Sequence, residues 1–118
     1  MTAEPARPFL RGSWTPVDAC TLPTADQPRR LAEFDGLFGT SLSSLRREHP
    51  QWLRLRLAGG VDVETAARDL TAREAECCSF FDFRVSREDA EVIVDVRVPP
   101  DKAVVLDGLV AQAEAALA

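Results

Sequence analysis

Two stretches of strict period-two alternation limit what this chain can fold into. Leu53, Leu55 and Leu57 alternate with Trp52, Arg54 and Arg56, while Val92, Val94, Val96 and Val98 alternate with Ile93, Asp95 and Arg97. Successive side chains of a strand point to opposite faces, so each stretch reads as a strand whose apolar face must be covered. Phe81, Phe83 and Val85 alternate in the same way with Asp82, Arg84 and Ser86. Joined to the valine strand through a polar Arg87-Glu88-Asp89-Ala90 turn, they form a hairpin. Ser41–Glu48 is expected to pair with the leucine strand through His49-Pro50-Gln51, although Leu42 and Leu45 break strict alternation.

Between these hairpins the period lengthens to that of a helix. Thr24 and Gln27 have capping-box spacing and Pro28 suits a first turn, so a helix is expected over about 25–38, with Leu31, Phe34 and Leu37/Phe38 on one face and Gly39 as its stop. After Gly59-Gly60, Asp62 is placed to cap a second helix in which Val63, Ala66, Ala67, Leu70 and Cys77 keep the period to about Cys78 or Ser79. Pro99-Pro100 ends the last strand. Asp101 is then expected to cap a helix with Leu106, Leu109, Val110, Ala113 and Leu117 on one stripe. The order α-ββ-α-ββ-α closes most simply as an α+β fold, a four-stranded, largely antiparallel sheet of two hairpins with helices on one face. Ile93, on the opposite face, suggests that part of that face is covered too, as by a partner subunit in a homodimer.

Residues 1–19, with Pro5, Pro8 and Pro16 and no apolar period, read as a flexible N-terminal arm, leaving 20–118 as a single domain. A chain of 118 residues buries about two-thirds of its unfolded surface, so it needs no disulfides to hold a core. No apolar run approaches membrane-spanning length and the first residues do not resemble a signal peptide, so a cytosolic protein is expected. Residues 1–58 carry a net charge of +2 and residues 59–118 a net charge of −7. Most arginines are interleaved with acids. The basic footprint of a nucleic-acid binder is missing.

Three cysteines in such a chain are core filler, metal ligands or redox groups. Cys77 and Cys78 are adjacent, and consecutive Cα atoms about 3.8 Å apart lie below the usual ~4.4 Å minimum for a disulfide. Side chains on successive helical residues diverge by ~100°, so Cys77 is expected to follow Leu70 onto the buried face and Cys78 to sit beside Glu74. Cys20, on a loop before the first helix, is placed to complete a two- or three-sulfur site. The negative end of the helix dipole, with Glu74 and Glu76, disfavours thiolates; Arg73, Arg84 or a bound cation favours them. A soft cation resolves this conflict, because coordination deprotonates a thiol. His49 stands alone on a turn, where a solvated or capping role outweighs zinc ligation. Phe80, Phe81 and Phe83 read first as core and second as an apolar wall around a thiolate site. Glu74 and Glu76 read first as solvated acids and second as general acid/base groups beside a thiol.

Cys20-Thr21-Leu22-Pro23, the segment from Arg29 to Phe38, Leu70-x3-Glu74-x2-Cys77-Cys78-x-Phe80 and the valine strand ending in Pro99-Pro100 together resemble a group of small actinobacterial-type proteins. That group has Glu-x-x-Cys-Cys-x-Phe segments and is associated with MerR-type regulators and heavy-metal or arsenic resistance loci. The resemblance covers about residues 19–113 and implies a link to thiophilic metals through Cys20, Cys77 and Cys78. It does not extend to DNA binding, because no helix-turn-helix region is recognisable.

The expected function is cytosolic capture of a soft metal or metalloid, Hg(II), an organomercurial, As(III) or Cu(I), for resistance or sensing. Cys20, Cys77 and Cys78 would be the ligands, Arg73 and Glu74 would surround them, and Phe80 and Phe81 would shield them. The metal ion would be the bound species, with a second copy or a regulator as further partner. One alternative is a thiol-dependent reductase or lyase pairing Cys20 with Cys77 or Cys78. Another is an interaction module with buried, inert cysteines.

Overall fold

The computed structural model describes residues 27–118. In chain order the elements are α1 (Gln27–Ser41), β1 (Leu42–His49), β2 (Trp52–Ala58), α2 (Val61–Cys77), β3 (Asp82–Glu88), β4 (Glu91–Arg97), a 3-10 turn at Pro100–Lys102 and α3 (Ala103–Leu117). The four strands form one antiparallel sheet in the order β1-β2-β4-β3, with the helices on one face. This is the expected α+β architecture. The expected arm over 1–19 and the Thr24 cap lie outside the described residues.

The register of β2 on β4 shows why the alternation was so constraining. Leu53 pairs with Val96, Leu55 with Val94 and Leu57 with Val92. Directly paired residues share a face, so six branched side chains form one apolar surface. All six are buried, and they join Phe34, Phe38, Ala67, Leu70, Val105, Leu106, Leu109 and Ala113 of the helices in a single core. Val105 belongs to that core, whereas Leu117, expected on the buried stripe of α3, is largely exposed.

The other face of the sheet is polar and satisfies itself. Asp95 accepts hydrogen bonds from Trp52 Nε1 at 2.8 Å and from Arg54 Nε at 2.8 Å and Nη2 at 3.2 Å. Arg97 lies over the Trp52 ring at 4.2 Å, and Arg56 reaches Glu88 and Glu91. Ile93 is 1% exposed within a single chain, so its burial requires no second subunit. Burial of Asp95 pulls its pKa upward, but the hydrogen bonds from Arg54 and Trp52 and the neighbouring arginine charges outweigh it and hold the carboxyl below its ordinary value.

Several element boundaries differ from expectation. Helix α1 runs through Gly39 to Ser41, with the Thr40 hydroxyl donating to the carbonyl of Gly36 at 2.9 Å. The N-cap of α2 is Gly60, so Asp62 lies inside the first turn, still well placed toward the positive helix end with Glu64. The turn between β3 and β4 tightens to Asp89-Ala90, with Asp89 at a φ of 55°, a conformation that Asp tolerates better than most residues. Ahead of α3, Asp101 sits in the 3-10 turn and Lys102 is the N-cap. His49 ends β1, and its Nδ1 accepts the Gln51 backbone N–H at 3.1 Å, the capping role expected of it.

Two measurements follow from these features. Gly59 has a φ of +150°, and a Cβ there would overlap the Val63 side chain, whereas nothing lies within 4 Å of a Cβ at Gly36. Denaturant titration should show Gly59→Ala losing more than about 1 kcal/mol and Gly36→Ala gaining up to about 1 kcal/mol. Equal effects would contradict this backbone assignment. For Asp95, a folded pKa below the unfolded one means that its stabilisation is present above about pH 4 and is lost as pH falls through the folded value. Asp95→Asn should therefore melt at a lower temperature near neutrality and show a shallower acid decline than the parent; an unchanged acid decline would contradict this role.

Candidate functional site

The thiol pair sits where α2 gives way to β3, and the local chain path decides what each cysteine does. The buried residues of α2 are Ala67, Leu70, Thr71 and Glu74, spaced three and four apart as on one helical face. The next step on this stripe is 78. Helix α2 ends at Cys77, and Cys78 takes a φ of −129° and a ψ of 84°, leaving the helix while its N–H still donates to the Glu74 carbonyl at 2.8 Å. Its own carbonyl accepts the Phe81 N–H at 3.1 Å.

Cys78 sits beside Glu74 as expected, but the burial of the two cysteines is the reverse of expectation. Cys78 has no exposed surface and belongs to the core, whereas Cys77 is half-buried and packs against the edge of that core. Counting seven residues from Leu70 pointed to Cys77, but counting two steps of four through Glu74 leads to Cys78. The Glu74 side chain is also on the buried face: the residue is 2% exposed, where a solvated acid was expected.

Glu74 can occupy that position because Arg30 of α1 meets it. Arg30 Nη1 donates to Glu74 Oε1 at 2.8 Å, and both side chains are largely buried. Around this contact runs a ladder of charges between the helices. Arg30 also approaches Glu33 at 3.5 Å, and Arg73 pairs with Glu33 at 2.9 Å and with Asp69 at 3.0 Å. The hydrogen bond from Arg73 holds the Glu33 carboxyl below its ordinary pKa, against the upward pull of burial. Arg73, expected to assist a thiolate, is thus already engaged by two carboxylates. Arg84 is exposed, with Asp82 3.7 Å away.

The ladder also fixes direction. Residue numbers rise along α1 as they fall along α2: Arg30 meets Glu74, Glu33 meets Arg73, and a cleft of about 340 Å³ has Gly36, Leu37 and Thr40 on one side and Ala66, Asp69 and Leu70 on the other. The helices are antiparallel. Moving back three residues from Arg30 and forward three from Glu74 covers the same rise of about 4.5 Å, so Gln27 lies level with Cys77.

The aromatic residues form part of the core or pack against it, the first of the two roles expected of them. Phe80 and Phe81 lie 4.6 Å apart between ring centroids and Phe81 stacks on Phe83 at 4.8 Å, with Phe81 buried. Lys102 Nζ lies 5.4 Å from the Phe80 ring centre. A second groove of about 380 Å³ runs along Thr71, Ala72, Ala75, Phe81, Phe83 and Val85. Neither groove is lined by Cys77 or Cys78. Cys20 lies outside the described residues, and among the described residues no group of three or more His, Cys, Asp or Glu side chains is placed to hold a metal.

Local pattern alone hid the Arg30–Glu74 pair, since 44 positions separate its members. A single charged residue on an otherwise apolar stripe was the available signal. Removing its partner exposes the cost: Arg30→Ala leaves a buried carboxylate uncompensated and should lower unfolding free energy by about 3–5 kcal/mol, whereas Arg30→Met/Glu74→Met should recover most of it. Equal destabilisation by the double variant would show that the pair's charge is not what the site depends on. No family model, curated protein or solved structure matches the chain, so its functional reading rests on residues and geometry.

Proposed function

We propose that the protein is a cytosolic binder of a soft heavy-metal or metalloid ion, Hg(II), an organomercurial, As(III) or Cu(I), acting in resistance or sensing through cysteine thiolates at the end of α2. The observation that carries this reading is the antiparallel ladder between α1 and α2. It sets the start of α1 level with Cys77, and Cys20 precedes Gln27 by only seven residues, a span of at most about 25 Å when fully extended. A thiol distant in sequence from the pair is thereby within chain reach of it.

The chemistry of the surroundings is consistent with this. Thiolate sulfur prefers soft cations, and binding one deprotonates the thiol without help from a neighbouring base. None is needed from Arg73, which its carboxylate partners already occupy. The stacked Phe80, Phe81 and Phe83 rings would lower water access around a metal–sulfur bond formed beside them. A second copy of the chain or a regulator receiving the ion would be the partner.

Native mass spectrometry of the reduced full chain, with Hg(II), Cu(I) and Zn(II) added separately, tests the proposal. A tight 1:1 adduct with Hg(II) or Cu(I), a much weaker one with Zn(II), and none in the Cys20→Ser/Cys77→Ser/Cys78→Ser variant is the expected result. Absence of a soft-metal adduct, or its persistence in the triple variant, would overturn it. A species two mass units lighter that accumulates during turnover of a thiol substrate would favour a disulfide-cycling enzyme instead.

A further inference from the structure

The two edges of the sheet are built differently. Along β1 the pairing with β2 shifts between Leu42 and Ser44 and again between Arg47 and His49, so only a short regular stretch lies between two irregularities. Arg47 also turns its guanidinium onto the carbonyls of His49 and Pro50 and onto Asp107. Strand β3 has no such interruption: every residue from Asp82 to Glu88 pairs in step with β4, and the strand has no neighbour on its other side. A straight edge without bulge or proline is open to a further strand. The groove of about 380 Å³ lies along this edge, between α2 and the half-buried Phe83 and Val85. At about 100° per residue, Ala72 and Ala75 fall on the flank of α2 opposite the one that carries Asp69 and Arg73 toward α1, so α2 stands back from the edge and leaves room above it.

We infer that β3 pairs antiparallel with β3 of a second copy, joining two four-stranded sheets into one across a two-fold axis. The pairing needs no metal and goes beyond the soft-metal reading. Charge selects its register. Directly opposed residues of a ladder share a face, so the axis passes where a residue meets its own copy. Registers that pair five or more residues of β3 are centred on Arg84, Val85 or Ser86. Centring on Arg84 opposes two arginines, and centring on Val85 sets Asp82 against the partner's Glu88. Centring on Ser86 sets Arg84 against the partner's Glu88 on both sides of the axis and opposes no like charges. Arg84 and Glu88 project into solvent, 70% and 62% exposed. Their contacts within the chain, Asp82 at 3.7 Å and Arg56 at 3.3 Å, leave donors on the guanidinium and lone pairs on the carboxylate for a second partner. The same axis stands perpendicular to the sheet and puts the helices of both copies on one side, so the two grooves meet and cover Phe83 and Val85.

Sedimentation equilibrium of the reduced full chain in chelator, over a wide range of concentration, tests this pairing. The parent should dimerise. Arg84→Glu and Glu88→Arg should each weaken the dimer by at least about tenfold, because each turns two attractive pairs into repulsive ones, and Arg84→Glu/Glu88→Arg should return it to within about threefold of the parent. Restoration by the double variant excludes misfolding as the cause of the single effects. A parent that stays monomeric, a dimer that neither single variant weakens, or a double variant no better than the single ones would overturn the pairing. Because no metal is present, each of these outcomes leaves the soft-metal reading to its own test.

Discussion

A buried carboxylate on α2 organises one end of this molecule. Glu74 lies on the stripe that α2 turns toward the core, and an ionised carboxylate there is sustained only by a partner of opposite charge. Arg30 supplies that charge from α1. Because the pair is short and largely buried, it constrains the two helices in height and direction more closely than undirected apolar packing would. The more accessible members of the ladder, half-buried Glu33 and Arg73 and exposed Asp69, extend the register at lower energetic weight, since solvent screens them more.

Two consequences reach the thiols. The carbonyl of Glu74 receives the N–H of Cys78 in the last regular helical bond of α2, and the chain leaves the helix at Cys78, whose φ is −129° and ψ 84°. The same anchoring brings the start of α1 level with the end of α2. The sheet below it provides the rigid surface: six paired leucine and valine side chains on one face, and on the other an Asp95–Arg54–Trp52 cluster that holds β2 to β4 independently of the helices.

The fold was largely legible because its signals are local. Alternation of Leu53, Leu55 and Leu57 and of Val92, Val94 and Val96 specifies strands and faces with no knowledge of what covers them. Gly59-Gly60 and Pro99-Pro100 break the chain where the elements end. Helix ends were less legible, because Gly39, Asp62 and Asp101 carry stop and cap chemistry that the tertiary structure does not use in that way. The site was only partly legible. A helical stripe from Leu70 extends equally well to position 77 or 78, and the choice depends on where the helix stops. Glu74 was read as solvated because its partner lies in another helix, and charge pairing at that separation leaves no local pattern.

The central proposal is that cysteine thiolates at the end of α2 capture a soft cation. X-ray absorption at the mercury edge of the Hg(II)-loaded full chain tests it most directly, since it counts the ligand atoms without altering the protein. A first shell of two or three sulfurs is the predicted result; a shell dominated by nitrogen and oxygen would contradict it.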